Sequence, residues 1–291
     1  MNNVLISIIT PTYNSEATVQ ACIDSVAQQT YRPIEHLFID GLSTDNTVEI
    51  IEAACRKYPH IRLISEKDDG IYDAMNKAMA LAHGDYFYFL GSDDRLFQTT
   101  TLTELFGDVD EPGHAVIYGN VKVSGGDMKW AREGAVYDGA FTFEKLLQRN
   151  ICHQAMFYPR SLVLRAGLYN PSYKVTADWD YNLRAFSLAP FQYKNVTVAY
   201  YNTTGLSGMR PDIGFKYAFA DELRKYYKAS LFDRRFKGAY EAFADGGFMR
   251  LRAHELSGLM HLLAAVYQQP SYLWEILCTF GRGLRNRLKP G

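Results

Sequence analysis

Residues 86–94 read Tyr86-Phe87-Tyr88-Phe89-Leu90-Gly91-Ser92-Asp93-Asp94, so an unbroken apolar run is followed, after one glycine and one serine, by two adjacent carboxylates. A short continuous apolar run is typical of a strand that is buried on both faces of a parallel sheet. Open α/β sheets bind their ligands just beyond the carboxyl ends of their strands. The sequence therefore predicts that Asp93 and Asp94 lie in a ligand-binding crevice.

The same pattern occurs three times upstream of this stretch. Apolar runs at 5–10, 35–39 and 61–65 predict strands, and a helix is expected after each of them. The first helix, for which Ser15 is a candidate N-cap, carries its apolar residues at one helical face, as do the helices expected at 47–58 and about 72–82. This alternation predicts βαβ crossovers and a mostly parallel α/β sheet flanked by helices.

The regular alternation ends near residue 95. Further strands are expected at 116–123, 152–158 and 193–201, and helices at 143–149 and 177–187. From about 213 the pattern is helical, with interruptions expected at 245–247 and at Pro270. We therefore expect a catalytic or binding domain over 1–212, divided into halves at 95/96, and a helical C-terminal extension over 213–291.

The charge balance argues against a nucleic-acid partner. The chain has 31 basic and 32 acidic residues and a net charge of −1, so it generates no overall field that would attract a polyanion. The four cysteines are far apart and show no metal-binding spacing. Neither a signal peptide nor an apolar stretch of about 20 residues occurs, which predicts a cytoplasmic protein without a membrane-spanning helix.

The strand ends carry polar side chains suited to a nucleotide. The turn after the first strand lacks the G-x-G-x-x-G pattern of dinucleotide-binding enzymes, but Tyr13 could flank a base. Asp40 ends the second strand and could accept a hydrogen bond from a base or a ribose. Asp69 and Lys77 are candidate ligand contacts after the third strand, beside Gly70.

The acidic pair also suits a metal ion. Adjacent carboxylates repel each other unless they share a cation, and Mg²⁺ or Mn²⁺ is commonly held by one or two carboxylates together with phosphate oxygens. Asp93 and Asp94 are therefore predicted to bind a divalent metal that would neutralise a leaving diphosphate.

Taken in order, these motifs resemble those of family 2 glycosyltransferases. The matching segments are Ser7-Ile8-Ile9-Thr10-Pro11-Thr12-Tyr13-Asn14, Asp40-Gly41-Leu42-Ser43-Thr44-Asp45-Asn46-Thr47, Asp69-Gly70-Ile71-Tyr72-Asp73-Ala74-Met75-Asn76-Lys77, and Gly84-Asp85-Tyr86 running into Ser92-Asp93-Asp94. The resemblance implies a GT-A fold, a nucleotide-diphosphate sugar donor, a divalent metal and inversion at the anomeric centre.

The resemblance also assigns roles to residues. It implies that Tyr13 and Asp40 bind the nucleoside, that Asp93 lies near the ribose or sugar, and that Asp94 ligates the metal. The full set of predicted donor-binding residues is Pro11, Tyr13, Asn14, Asp40, Asp69, Lys77 and Asp93.

The family's catalytic base is usually the Asp of a Glu-Asp pair that opens a helix in the second half. This chain has Ala177 at the position of the Glu, and Asp178 aligns with the Asp. Asp180 lies two residues further on and should face another side of the helix. We predict Asp178 as the base, with His153, Gln154 and Asp180 as candidate acceptor or diphosphate contacts.

Two other functions are compatible with the sequence: a sugar nucleotidyltransferase and a non-catalytic nucleotide-binding scaffold. For a glycosyltransferase, the expected acceptor is a saccharide or a lipid-linked saccharide in cell-surface polysaccharide or glycolipid synthesis. Loop 203–208 is a candidate lid over the donor. The apolar and basic residues of 272–289 suit peripheral contact with the inner face of the membrane, or with a second subunit in a homo-oligomer.

Overall fold

The computed structural model describes residues 4–109, 111–127, 132–203 and 212–287, the last seven of them as backbone alone. The chain divides into two compact units. The first comprises residues 1–140 and 151–211, and the second comprises residues 141–150 and 212–291.

The strands of the first unit form one mixed sheet. They are β1 (Ile6–Thr12), β2 (Ile34–Asp40), β3 (Ile61–Ser65), β4 (Tyr86–Phe89), β5 (Arg95–Leu96), β6 (Val116–Ser124), β7 (Val136–Tyr137), β8 (Met156–Pro159) and β9 (Phe191–Asn202). The helices of this unit are α1 (Val19–Ala27), α2 (Thr47–Lys57), α3 (Ile71–Leu81), α4 (Thr101–Phe106), α6 (Arg160–Ala166) and α7 (Ala177–Phe186), while α5 (Phe143–Gln148) belongs to the second unit.

The strand order is β3-β2-β1-β4-β8-β6-β9-β5, with β7 paired to β6. The first four strands are parallel, β8 is antiparallel to both β4 and β6, and β9 runs parallel to β6. Every residue of β1 and β2 is buried, because helices cover both faces of the sheet there. The predicted α/β sheet flanked by helices is confirmed, and its second half is more antiparallel than the first.

Two predicted details near the site are wrong. Helix α1 begins at Val19, and Ser15 instead accepts hydrogen bonds through its backbone carbonyl from the amides of Thr18 and Val19. The strand expected at 152–158 begins only at Met156, because His153–Ala155 forms a 3-10 turn closed by the Ala155 amide on the Cys152 carbonyl. The turn removes His153 and Gln154 from the strand ladder.

The second unit is helical over the residues that the structure describes. Besides α5 it contains α8 (Ile213–Tyr227), α9 (Tyr240–Arg252), α10 (Ser257–Gln268) and α11 (Leu273–Arg287), and 3-10 turns at Arg234–Ala239 and Pro270–Tyr272. The expected break at Pro270 is confirmed. Within the described ranges, no helix has both the length and the apolar character needed to cross a bilayer.

The break expected at 245–247 is wrong, because α9 continues through Gly246 and Gly247. A Cβ on Gly247 would lie 2.9 Å from the Gly258 carbonyl oxygen, and one on Gly258 would lie 2.5 Å from the Gly247 carbonyl oxygen. These two glycines let α9 and α10 approach each other closely. Gly247 therefore permits this close packing, although a glycine inside a helix lowers helix stability by about 1 kcal/mol relative to alanine.

Candidate active site

A cavity of about 460 Å³ opens at the carboxyl ends of the parallel strands. Its walls come from the segments that follow β1, β3 and β4, from the 3-10 turn before β8, from the residues preceding α7, and from the end of β9. The lining residues are Pro11, Thr12, Tyr13, Ser15, Asp68, Gly70, Ile71, Tyr72, Ala74, Gly91, Ser92, Asp93, Asp94, His153, Gln154, Lys174, Val175, Tyr201 and Asn202.

Asp93 and Asp94 line this cavity, and their neighbours hold Asp94 in place. One carboxylate oxygen of Asp94 accepts a hydrogen bond from the Gln154 side-chain amide at 2.8 Å, and the other accepts one from the Asn202 backbone amide at 2.8 Å. A Cβ at position 91 would lie 2.6 Å from Asp94 Oδ2 and 2.9 Å from Asp93 Oδ1. Gly91 therefore gives both carboxylates room to fold back over the turn.

The pair carries negative charge in a poorly solvated place. Burial and, secondarily, the nearby charge of Asp93 raise the pKa of Asp94 to about 6, although the hydrogen bonds from Asn202 and Gln154 act in the opposite direction. Burial also raises the pKa of Asp93, whereas a hydrogen bond from its own backbone amide and the charge of His153 lower it. Two carboxylates in this state fit a divalent cation.

The protein would supply few ligands to such a cation. In the ranges that the structure describes, no three His, Cys, Asp or Glu side chains cluster as a metal site. Asp93 and Asp94 could therefore hold Mg²⁺ or Mn²⁺ only together with ligand phosphates and water, which is the arrangement that Mg²⁺ prefers.

The predicted nucleoside contacts divide into two groups. Pro11 and Tyr13 line the cavity, and the Tyr13 side chain is 64% exposed, open to stacking. Asp40, in contrast, is fully buried and is not among the described lining residues. Its carboxylate accepts hydrogen bonds from the Ser43 amide at 3.0 Å, the Ser43 hydroxyl at 2.5 Å and the Ser65 hydroxyl at 2.7 Å.

Asn14 also serves the loops. Its φ of 48° lies in the left-handed region that Asn tolerates. Its amide donates to the Ser43 hydroxyl at 2.8 Å, and its side-chain oxygen accepts from the Thr44 amide at 2.8 Å. Asp40 and Asn14 thus fix the turns after β1 and β2. The turn after β1 carries Tyr13.

Asp69 and Lys77 are not among the cavity-lining residues of the described chain, whereas Asp68 and Gly70 are. The Lys77 ammonium group donates to the Lys67 carbonyl at 2.5 Å and lies 3.1 Å from Glu66 and 3.3 Å from Asp73. The Asp69 backbone amide donates to Asp73 at 3.1 Å. Both residues thus order the loop that presents Asp68 and Gly70.

Asp178 lies in the first turn of α7, close to His153 and Tyr72. One of its oxygens is 3.4 Å from His153 Nδ1, and the other accepts from the Tyr72 hydroxyl at 3.4 Å and from the Trp179 amide at 2.8 Å. The single hydrogen of the Tyr72 hydroxyl is shared with the Val175 carbonyl, which lies nearer at 2.7 Å, so the contact with Asp178 is the weaker branch. His153 thus contacts Asp178 and lines the same cavity as Asp93 and Asp94, and it lowers the pKa of both members of the acidic pair.

Asp180 points elsewhere. Its side chain is 1% exposed and lies 3.4 Å from the guanidinium of Arg184, one turn along the helix. Arg184 also donates to the Ala166 and Leu168 carbonyls. The arrangement separates Asp178 from Asp180, in keeping with their expected orientations on α7.

Comparison with known proteins establishes the family. The model of glycosyl transferase family 2 matches residues 7–166, more than half of the chain. The chain belongs to glycosyl transferase family 2. The predicted family is therefore confirmed, and with it the enzyme class of glycosyltransferase, which the scaffold and nucleotidyltransferase alternatives do not share.

Two curated relatives illustrate the range of this family. A PGL/p-HBAD biosynthesis glycosyltransferase of Mycobacterium bovis is 40% identical over 206 residues, covering 69% of this chain and 78% of the relative. Chondroitin synthase of Escherichia coli is 32% identical over 197 residues, covering 66% of this chain and 28% of that protein.

Solved structures share the fold. TarS 1-349 of S. aureus superposes with a TM-score of 0.61 at 18% identity. The match covers 93% of this chain and 91% of the TarS chain. In a longer TarS structure, this chain spans about half, 53%, of the length. A mannosyltransferase from Pyrobaculum calidifontis has a TM-score of 0.53 at 16% identity, covering 98% of this chain and 80% of its own. These likenesses confirm the predicted GT-A fold.

Tyr72, Lys174 and Asn202 are among the residues of this glycosyltransferase site that were not predicted from sequence. Tyr72 belongs to the third family-like motif, but nothing in its spacing reveals that it reaches Asp178. Lys174 lines the cavity from a segment without periodic pattern, and the Asn202 backbone amide holds Asp94 across 108 residues of chain. Of the predicted lid, Thr203 donates to the Ser124 and Gly126 carbonyls, and 204–208 lie outside the described residues.

Proposed function

We propose that this glycosyltransferase transfers a sugar from a nucleotide-diphosphate donor to an acceptor hydroxyl, with inversion and with a divalent metal. The single observation that carries the proposal is the acidic pair: Asp93 and Asp94 are poorly solvated and face one cavity with Tyr13 and His153. A cation with a diphosphate would relieve the repulsion between these carboxylates.

The lining of the cavity supports an assignment of the donor half of the site. We assign the base to the exposed ring of Tyr13 beside Pro11 and the diphosphate to the region of Asp93 and Asp94, with the Lys174 side chain as an additional positive charge. Gln154 and the Asn202 amide keep Asp94 oriented. When bound at Asp93 and Asp94, Mg²⁺ or Mn²⁺ would neutralise charge on the departing nucleoside diphosphate.

The ligands of the solved neighbours support the donor class. TarS 1-349 is described in complex with UDP and with UDP-GlcNAc, and the mannosyltransferase in complex with GDP-Man and Mn²⁺. We place the catalytic domain at 1–212 and regard 213–291 as its helical extension. Asp69, Lys77, Asp40 and Asn14 act in this proposal by ordering the loops that present the donor contacts.

The attack is assigned to Asp178. Its carboxylate accepts the proton of the acceptor hydroxyl as that oxygen bonds to the anomeric carbon, while the bond from this carbon to the diphosphate oxygen breaks. Attack from the side opposite the leaving group inverts the centre. His153 and Tyr72 hold the carboxylate in position. The acceptor is a saccharide or a lipid-linked saccharide, and the relatives named for PGL/p-HBAD biosynthesis and chondroitin synthesis support that class.

Replacing Asp178 by Asn tests this assignment. We expect turnover to fall about 100-fold or more, since a positioned general base contributes about 10²–10⁴ in rate. Binding of the donor should be unchanged. The measurement is release of nucleoside diphosphate with each of a set of UDP-, GDP- and dTDP-sugars, together with donor titration of the variant.

Asp180→Asn is the matched control on the same helix. It weakens the buried pair with Arg184, so we expect a lower melting temperature but normal turnover per folded molecule. If Asp178→Asn retains full transfer, Asp178 is not the base. Pyrophosphate release from a nucleoside triphosphate, without sugar transfer, would instead indicate a nucleotidyltransferase.

A further inference from the structure

Helix α10 exposes one face made of apolar side chains. Its exposed apolar residues, with the residue just before the helix, are Leu256, Leu259, Met260, Leu263 and Tyr267, between 48% and 79% exposed. They recur at the three- and four-residue spacing of one helical face. The opposite face, with His261, Leu262 and Ala265, is buried.

Helix α11 has a similar face, formed by Leu273, Trp274, Leu277 and Phe280, all exposed. Together these nine residues are here called the C-terminal apolar face. Residues 256–274 contain no Asp, Glu, Lys or Arg. Soluble monomers rarely expose so many large apolar side chains in one region, and such surfaces usually bind a partner.

The charged residues from position 275 onward indicate which kind of partner the C-terminal apolar face would bind. From 275 to the last residue the chain has one acidic residue, Glu275, and four basic ones, Arg282, Arg285, Arg287 and Lys289, three of them within α11. A two-fold dimer through this region would bring like charges together. An anionic lipid surface complements them, and Tyr267 and Trp274 are residue types enriched at the membrane interface.

We propose that the C-terminal apolar face inserts into the headgroup region of an anionic bilayer, with α10 and α11 lying along its surface. The insertion needs no sugar donor and no acceptor. It therefore stands or fails independently of the transferase reaction, and it accounts for apolar side chains that the second unit leaves in water.

Vesicle binding of the full chain tests this proposal. The probes are vesicles of phosphatidylcholine alone and of phosphatidylcholine mixed with phosphatidylglycerol. We expect co-sedimentation with the mixed vesicles, weaker binding to the neutral ones and at high salt, and a blue shift of tryptophan emission. Trp274→Phe should lose most of the shift and keep most of the binding, since Phe remains apolar.

Leu263→Glu is the decisive variant, and Leu164→Glu on α6 is its matched control. Both leucines are exposed, at 58% and 77%, so neither change should lower the melting temperature. We expect Leu263→Glu to weaken vesicle partitioning about tenfold or more, and Leu164→Glu to leave it unchanged. Replacing Arg282 by Gln should weaken binding to the mixed vesicles about fivefold.

Three results would overturn the proposal. The first is a wild-type chain that binds neither kind of vesicle. The second is equal vesicle binding by wild type and Leu263→Glu. The third is a concentration-dependent dimer in sedimentation that Leu263→Glu dissociates in the absence of vesicle binding, which would assign the face to a second copy of this chain.

Discussion

At the scale of single residues, the site depends on side chains that touch no substrate in the proposed reaction. Gln154 donates to one oxygen of Asp94, and Tyr72 donates to Asp178. Together with the Asn202 amide on Asp94 and the Trp179 amide on Asp178, these side chains restrict the rotamers that the two carboxylates can adopt. Fixed geometry of this kind is what allows a catalytic group to act at close range.

Tyr72→Phe tests whether the tyrosine positions the base. The change removes the hydrogen that the hydroxyl shares between the Val175 carbonyl, at 2.7 Å, and Asp178, at 3.4 Å, and a hydrogen bond of this kind is worth about 0.5–1.5 kcal/mol. We expect kcat to fall roughly three- to tenfold with little change in the donor KM.

Tyr181→Phe provides the matched control in the same aromatic cluster. The Tyr181 hydroxyl is buried and has no hydrogen-bond partner in the part of the chain that is described. Its removal should leave both kcat and the donor KM unchanged. If Tyr72→Phe also keeps the wild-type kcat, the tyrosine only fills space.

At the scale of elements, aromatic packing joins the starts of α3 and α7. The Tyr72 ring lies 5.5 Å from that of Tyr169, which lies 4.5 Å from that of Tyr181. The Asn76 side chain of α3 adds two hydrogen bonds to the Tyr169 backbone, at 3.0 and 2.8 Å. These contacts bring the third strand's loop to the helix that carries Asp178.

The close approach of α9 and α10 predicts opposite effects for two adjacent glycines. A Cβ on Gly246 would have only an ordinary contact at 3.5 Å, so Gly246→Ala should stabilise the protein by up to about 1 kcal/mol. A Cβ on Gly247 would clash with the Gly258 carbonyl and Leu262, so Gly247→Ala should destabilise it by about 1–3 kcal/mol. Chemical denaturation measures both free energies of unfolding. Equal values for the two variants would contradict the packing described for α9 and α10.

At the scale of the whole molecule, the described residues that line the cavity all belong to the first unit. Burial and the Asp93 charge raise the pKa of Asp94 from 3.8 to about 6. A group whose pKa is raised on folding contributes stability that is complete below its unfolded pKa and is lost as the pH rises through the folded value. Near neutral pH the charged pair therefore opposes folding, and a bound cation should reverse this effect.

The corresponding prediction concerns melting temperatures. Mn²⁺ with the matching nucleoside diphosphate should raise the melting temperature by several degrees at about pH 7.5 and by less at about pH 5, where protons compete for the carboxylates. Asp94→Asn should abolish the metal-dependent part of this shift. Asp245→Asn, an exposed change in the second unit, should retain it.

No shift with any nucleotide in the presence of Mn²⁺ would argue against the proposed donor site. A shift of the same size in Asp94→Asn would move the metal elsewhere. Differential scanning fluorimetry across a pH series distinguishes these results.

The sequence alone determined the elements of the first half and the family. β3 has the predicted bounds, and β1, β2, β4 and α3 differ from prediction by one or two residues, because buried parallel strands and amphipathic helices are patterns of local sequence. The motif order likewise identified the family before any coordinates. The acidic pair was placed at the cavity for the same reason, since strand ends share one edge of the sheet.

The tertiary structure decided what depends on distant partners. In the folded chain, Ser43 and Ser65 donate hydrogen bonds to the Asp40 carboxylate, and Arg184 pairs with Asp180. Tyr72 meets Asp178 although 106 residues separate them in the sequence. It also kept α9 intact through Gly247, where sequence suggested a break. Local pattern fixes which face of an element is buried, whereas hydrogen-bond partners and close helix contacts depend on which elements meet, and that is settled only when the chain packs.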